Sequence, residues 1–251
     1  MDWSDEGIVL SARKHGESAA IVTLFTRGHG RHAGLVRGGA GRRQRGLYQA
    51  GNRLTATWRA RLEEQLGSFS CEMMRAYAAE VMSDRLSLAA LSSAAILLEM
   101  TLPEREPHED VFDEFSTLLD SLLSPGWEVA YVRWELGLLG ALGFGLDLAS
   151  CAVTGTTENL THVSPRSGRA VSGEAGFAYR DRLLILPQFL LDDSDQEQPT
   201  HAEIIDGLVL TGHFLERHVF APENREIPAA RPRLVDAIRR ATTLSSNSNV
   251  S

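Results

Sequence analysis

Lysine is nearly absent from this sequence. Lys14 is the only lysine, so arginine carries almost all of the positive charge. The planar guanidinium group binds phosphate through two parallel hydrogen bonds and stacks on flat rings, whereas a lysine ammonium acts as a point charge. The composition therefore suits any cationic surface of this chain to nucleic acid.

Cysteine and long apolar runs are also scarce. Cys71 and Cys151 are the only cysteines, too few for a disulfide framework, which predicts reduced thiols. The opening MDWSDEG lacks the charged and apolar regions of a signal peptide, and no apolar run approaches the ~18 residues of a membrane span. We expect a cytoplasmic protein without a membrane partner.

Familiar catalytic motifs are missing as well. The sequence contains no G-x-S-x-G elbow, no phosphate-binding P-loop and no H-E-x-x-H pair. We therefore expect a protein that is not an enzyme and needs no cofactor. A small hydrolase that uses His213 or His218 beside an acidic group remains an alternative.

The charge is divided unevenly along the chain. Residues 1–61 hold 11 Lys+Arg against 4 Asp+Glu, a net charge of +7, within a chain of net charge −8. The remaining residues hold 14 against 29, a net charge of −15. Such a split indicates one surface that binds a polyanion and a different task for the rest of the chain.

Periodicity divides the chain in the same way. Short strands are predicted at 7–14, 19–26, 31–36, 52–62 and 66–74, and five such strands favour a small barrel of the oligonucleotide/oligosaccharide-binding (OB) type over an SH3-like barrel. Helices are predicted within 75–102 and at 109–123, 127–142, 200–219 and 231–242. The fold class is therefore α+β: an OB-type barrel over residues 1–80, then an all-helical domain over 81–251. Residues 143–180 are predicted to form an irregular insertion in that domain.

The basic segment centres on RGGAGRRQRG, residues 37–46, which has neither an apolar face nor an acidic side chain. We predict a mobile loop beside a cationic strand face, a combination that can follow a phosphate backbone. Tyr48 and Trp58 are candidates for stacking on bases, although Trp58 is better explained as core. The predicted nucleic-acid contacts are Arg31, Arg37, Arg42, Arg43, Arg45, Arg53, Arg59 and Arg61.

Two further segments carry predictions. In the helix near 201–220, His213 and Arg217 are four residues apart and can share a face that binds an acidic peptide, although an ordinary core helix explains the pattern as well. In 146–176, a C-x2-C…C-x2-C alignment starting at Cys151 places the other ligands at Thr154, Ser172 and Ala175. These side chains cannot replace thiolates on zinc, so no metal site is predicted.

Three stretches together resemble the RecO family of bacterial DNA-repair recombination mediators over nearly the whole chain. They are GIVLSARKHGESAAIVTLFTRGHGR, VRGGAGRRQRGLYQAGNRLTATW and the LDLASCAVTG to THVSPRSGRAVSGEAG region. The resemblance implies an N-terminal OB domain and a helical C-terminal domain, which in many members holds a four-cysteine zinc site. This sequence departs from that site, so its insertion is expected to be zinc-ribbon-like but without zinc.

The resemblance also implies partners and an activity. Family members bind single- and double-stranded DNA, anneal complementary strands, and act with RecR to load recombinase on DNA coated by single-strand-binding protein. They recognise the acidic C-terminal tail of that protein through the helical domain. An alternative from another class is a protein-interaction adaptor whose arginines meet an acidic protein surface instead of DNA.

Overall fold

The computed structural model describes residues 1–42, 44–191 and 198–248. Its N-terminal part contains the five predicted strands, and the α+β class is confirmed. The first strand begins five residues before its predicted start, because the polar DWSDE segment pairs with the fourth strand. The strands are β1 (Asp2–His15), β2 (Ala19–Thr26), β3 (Gly30–Val36), β4 (Arg53–Arg59) and β5 (Ser68–Arg75).

The five strands close on themselves in the order β1-β2-β3-β5-β4. The long strand β1 makes this possible, because its first half pairs with β4 and its second half with β2. Gly7 and Ile8 pair with both neighbours, and the β1–β2 register is irregular between Val9 and Ser11. Residues that alternate inward along the strands, among them Val22, Leu24 and Leu54, are fully buried and fill the interior.

Three helices follow the barrel. The predicted helical stretch 75–102 is a pair, α1 (Tyr77–Glu80) and α2 (Arg85–Thr101), because the Asp84 side chain caps the start of α2. The third, α3 (Glu109–Ser121), places Phe112 edge-on to Phe25 of β2, 5.5 Å between ring centroids. These helices belong with the barrel to one compact unit, Met1–Ser124, although α2 and α3 follow the boundary predicted at residue 80.

The second compact unit, Pro125–Ser251, is not all-helical as predicted. It contains an antiparallel three-stranded sheet of β6 (Leu160–Val163), β7 (Ala170–Ser172) and β8 (Leu184–Ile185), in the order β7-β6-β8; β6 and β7 lie in the predicted insertion, and β8 follows it. The strands have two to four residues each, too short for an alternating pattern to show among glycines and serines. The elements are α4 (Trp127–Ala141), β6 (Leu160–Val163), β7 (Ala170–Ser172), α5 (Gly173–Gly176), β8 (Leu184–Ile185), α6 (His201–Phe214) and α7 (Ala230–Ser248).

A buried ion pair joins the helices of the second unit. Arg231 of α7 donates two hydrogen bonds to the fully buried Glu135 of α4, at 2.7 and 2.8 Å. Thr211 of α6 donates a third hydrogen bond to the same carboxylate, at 2.5 Å. None of the helices in the described part of the chain is both long and apolar enough to cross a bilayer.

Candidate nucleic-acid interface

The glycine- and arginine-rich segment connects β3 to β4 as a series of hydrogen-bonded turns. The backbone N–H of Gly41 donates to the Gly38 carbonyl at 2.9 Å, and those of Gln44 and Arg45 both donate to the Gly41 carbonyl at 3.0 Å. The Ala40 N–H reaches the Ser18 carbonyl of the β1–β2 turn at 3.0 Å. The described residues of this segment are therefore tied to the barrel, and do not form the unattached flap that its glycines predict.

Asn52 anchors the end of the loop. Its buried side chain donates to the carbonyls of Gly46 and Leu47, at 2.8 and 3.2 Å, and accepts a hydrogen bond from the Ala78 N–H at 3.1 Å. Tyr48 is only 5% exposed and packs in the barrel core, so it is not available for stacking on bases as predicted. The loop therefore presents its arginines to solvent while its apolar end is held inside the barrel.

The exposed arginines of the loop are the strongest candidates for phosphate contact. Arg37, Arg42 and Arg45 are exposed, and none of them forms an ion pair with a carboxylate of the described residues. Arg43 was predicted with them but lies outside the described residues. Because no carboxylate among the described residues pairs with these three guanidinium groups, their charge can attract a polyanion.

Two cations outside the predicted set also lie beside this loop. Arg13 and Lys14 lie exposed at the end of β1, beside the turn that the loop contacts through Ser18. The sequence pattern did not indicate that they lie near the loop. Only the β1–β2 pairing and the Ala40 hydrogen bond bring them close to it. We name these five residues, Arg13, Lys14, Arg37, Arg42 and Arg45, the basic rim.

Two of the predicted arginines form ion pairs with carboxylates of the same unit. The Arg31 guanidinium donates to the Leu102 carbonyl at 2.8 Å and pairs with Glu104 at 3.2 Å. Arg53 pairs with Glu6, and this hydrogen bond raises the pKa of the guanidinium above its ordinary value. Both side chains join segments of the first unit, which leaves them less able to bind phosphate.

Arg59 and Arg61 are more accessible. The outward parity predicted for β4 is observed for Arg59, whose side chain is 73% exposed and lies 3.9 Å from Asp2. Arg61 is exposed but follows the end of the strand. Trp58 occupies an inward position of β4 in the core and donates its indole N–H to the Leu66 carbonyl at 3.0 Å.

In the second unit, the two predicted partner-binding residues have different surroundings. His213 lines a groove of about 380 Å³ together with Leu208, Val209 and Arg239. Arg217 is exposed and is not among the residues that line this groove. Arg217 lies in a π-helical turn, Leu215–Phe220, that directly follows the α-helix carrying His213.

Three of the four positions aligned with a zinc site, Cys151, Thr154 and Ser172, are close together. The buried Cys151 sulfur accepts a hydrogen bond from the Ser172 N–H at 3.3 Å. Burial opposes ionisation of this thiol, but hydrogen bonds from Ser172 and Thr154 lower its pKa to about 6. One thiol, two hydroxyls and the methyl group of Ala175 do not fit zinc, which favours four sulfur or nitrogen ligands. Hydrogen bonds to sulfur therefore hold this turn.

Comparison with known proteins covers nearly the whole chain. Residues 1–77 match the family model Recombination protein O N terminal, and residues 82–226 match Recombination protein O C terminal. The chain is 56% identical over 247 residues to the DNA repair protein RecO of Rhodospirillum centenum, which covers 98% of each chain. It is 53% identical to that of Rhodospirillum rubrum, covering 96% of this chain and 97% of the relative. It is 50% identical to that of Cereibacter sphaeroides, covering 96% and 100%.

Proposed function

Because the chain belongs to the RecO family, we propose that it acts in DNA repair and recombination by binding single- and double-stranded DNA and annealing complementary strands. In this proposal it works with RecR and single-strand-binding protein to load recombinase, without catalytic turnover, in the cytoplasm at the nucleoid. The names of its relatives support the role in DNA repair.

The observation that carries DNA binding is the basic rim. Its five cations are exposed at the end of β1 and in the β3–β4 loop of one barrel, although the whole chain has a net charge of −8. Phosphates that bind such a surface release their counterions, and this release supplies most of the affinity of sequence-independent binding. A five-stranded barrel in which β1 pairs with both β2 and β4 fits the proposed OB fold, whose strands commonly bind oligonucleotides.

The strand register supports a path for a single strand across the barrel. Arg13, Ile21, Leu35, Ser68 and Arg59 are successive neighbours on β1, β2, β3, β5 and β4. At about 4.8 Å per strand, this row follows the curved barrel wall for roughly 19 Å from one arginine to the other. The half-buried Ile21 and Leu35 provide apolar surface between cationic ends, which suits a strand with a charged backbone and apolar base faces.

The salt dependence of binding tests the proposal. We expect the triple variant Arg37→Ala, Arg42→Ala and Arg45→Ala to bind single-stranded oligonucleotide more weakly, with a slope of log K against log salt that is less negative by about 2. The matched control removes the same charge from three exposed arginines of the second unit, Arg166, Arg180 and Arg182, and is expected to keep the wild-type slope.

An unchanged slope in the loop variant, or an equal change in the control, would remove the basic rim from the interface. Titration of labelled oligonucleotide near physiological salt also separates the adaptor alternative. An adaptor would show no saturable DNA binding under those conditions.

The groove beside α6 is the proposed site for the tail of single-strand-binding protein. Leu208 and Val209 provide apolar walls for the peptide, and the predicted residue His213 lies in the same groove. We expect Val209→Asp and His213→Ala to weaken binding of a labelled peptide that carries the last residues of that protein, measured by fluorescence anisotropy. Arg217→Ala serves as the control, since it removes an exposed charge that does not line the groove. Equal affinity of all variants would contradict this assignment.

A further inference from the structure

One mouth of the barrel opens into a pocket of about 470 Å³. Three of its lining residues, Trp3, His32 and Trp58, lie on β1, β3 and β4, and Trp3 stands directly opposite Trp58 in the strand register. The mouths of β-barrels are common places for ligand sites, and this volume lies in the range of small-molecule pockets. The loop of the basic rim begins at the other end of β3, seven residues away from this mouth.

Flat aromatic faces form the walls of this barrel-mouth pocket. The rings of Trp3 and His29 are stacked, with centroids 4.1 Å apart and planes 8° apart. Trp3 also lies nearly parallel to Trp58, with centroids 5.8 Å apart. His32 meets the same two indoles edge-on, at 5.1 and 4.9 Å. Such walls suit a flat, stacking ligand better than a branched aliphatic one.

Gly30 allows the neighbouring backbone to close one side of the pocket. Its φ is +63°, and a Cβ at this position would lie 1.9 Å from the Glu106 carbonyl oxygen. The segment that approaches here supplies the pocket residues Arg105 and Pro107. Arg105 is fixed by hydrogen bonds to the backbone carbonyls of Glu63 and Gln65 in the β4–β5 loop. The pocket is therefore preformed by backbone and paired side chains.

His32 is an unpartnered polar group at this site. Its side chain is buried, with 4% exposure of the residue, and neither ring nitrogen has a hydrogen-bond partner among the described residues. Buried polar groups are paired in the great majority of structures, because an unpaired one costs free energy. Burial, with smaller contributions from Arg105 and His29, lowers its pKa to about 4. At neutral pH the ring thus offers one N–H donor and one acceptor.

Positively charged side chains lie near the opening of the pocket, where they could contact a phosphate. Arg59, exposed at the end of β4, lies 3.9 Å from the pocket residue Asp2, and Arg105 lines the pocket itself. Asp2 and Glu63 also line the opening, so the surroundings are of mixed charge and less attractive to a free anion. A ligand that combines a flat ring with a flanking phosphate matches this arrangement.

We propose that the barrel-mouth pocket takes one nucleobase of a single DNA strand, stacked on the Trp3–His29 pair with its polar edge toward His32. The inference rests on the proposed function, because it takes DNA as the ligand. Stacking by one base is sequence-tolerant, so the pocket adds affinity for unpaired bases without reading a sequence. It also favours single strands over duplex, in which the bases are already stacked and paired.

An abasic oligonucleotide isolates the contribution of the bases. We expect the wild-type chain to bind oligo-dT more tightly than an abasic strand of equal length and charge, by roughly 5- to 100-fold if stacking has its usual strength. Trp3→Ala is expected to lose most of this preference while keeping the wild-type slope of log K against log salt. His29→Leu, a change at a half-buried turn residue that also removes the 3.0 Å contact of its ring with Asp5, is expected to reduce the preference in part.

Because Trp3 also packs against the core, Trp3→Phe provides a second measurement. It keeps a ring but removes the indole, so the quenching of tryptophan fluorescence by oligo-dT is expected to fall while the far-ultraviolet circular dichroism is unchanged. Wild-type DNA binding with a preference for bases that survives both Trp3→Ala and His29→Leu would overturn the pocket and leave the proposed function intact. Absence of DNA binding by the wild-type chain would overturn the proposed function itself.

Discussion

Acid is expected to destabilise the barrel through His32. The imidazole is buried among Trp3, Trp58 and Phe69, and the charged groups that face it are Arg105 and, when protonated, His29. Burial lowers the pKa of His32 from 6.5 to about 4 in the folded chain. Between these two pH values the unfolded chain therefore binds a proton that the folded chain does not, and stability falls as the pH decreases.

The size of the effect follows from the shift. Each unit of pKa corresponds to about 1.4 kcal/mol, so a difference of roughly 2.5 units amounts to a total of about 3 kcal/mol. The loss begins as the pH falls through 6.5, reaches about 2 kcal/mol near pH 5, and is nearly complete below pH 4. Above pH 7 the contribution of His32 to stability is fully present.

Urea unfolding at about pH 7 and pH 5 measures this loss. With a typical m-value of about 2 kcal/mol/M, the transition midpoint of the wild-type chain is expected to fall by roughly 1 M from this residue alone. Carboxylates titrate in the same range, so the measurement that counts is the difference between wild type and His32→Leu. The variant has an apolar side chain of similar volume and is expected to lack this part of the pH dependence.

Parallel pH dependences of wild type and His32→Leu would refute the reasoning, since they would show that His32 binds its proton equally in the folded and unfolded chains. A variant that is less stable at pH 7 but has a flatter pH profile would still support it. The slope with pH reports the protonation of His32, whereas the stability at pH 7 also includes packing.

Three further predictions concern residues that hold the fold together: Arg231, Asn52 and the turn at Cys151. Arg231→Met leaves a buried carboxylate without its partner and is expected to cost about 3–5 kcal/mol in urea unfolding; a loss below 1 kcal/mol would contradict the pairing. Asn52→Ala removes three buried hydrogen bonds and is expected to cost about 1–3 kcal/mol and to speed tryptic cleavage in the loop, whereas unchanged cleavage would show that this side chain does not hold it. The triple variant Thr154→Cys, Ser172→Cys and Ala175→Cys is expected to bind one zinc ion by metal analysis and to melt at a higher temperature with zinc, while the wild type does neither.

The local elements were largely predictable from the sequence. Alternation along 52–62 gave the position of β4 and the outward parity of Arg59, because side chains alternate across any strand. The apolar stripe at 109–123 gave α3 for the equivalent reason, a period of 3.6 residues. The sheet in the insertion was missed, since strands of two to four residues carry no usable period.

The candidate sites were predictable only in part. Composition drew attention to the loop arginines, but it could not separate Arg37 and Arg42, which are exposed, from Arg31 and Arg53, which are paired with carboxylates. Those carboxylates lie 73 and 47 residues away in the chain. A local sequence pattern cannot reveal an ion pair between residues so far apart in the chain.

The sequence by itself determined the charge division, the β-then-α order and the family, because these depend on composition, local period and similarity along the chain. Only the tertiary structure decided which cations remain free, that Tyr48 is inside the barrel, and that Trp3, His29 and His32 surround one pocket. Barrel closure is the physical reason. It joins β1 to β4 and brings Trp3 opposite Trp58, so residues that are far apart in sequence share one barrel mouth.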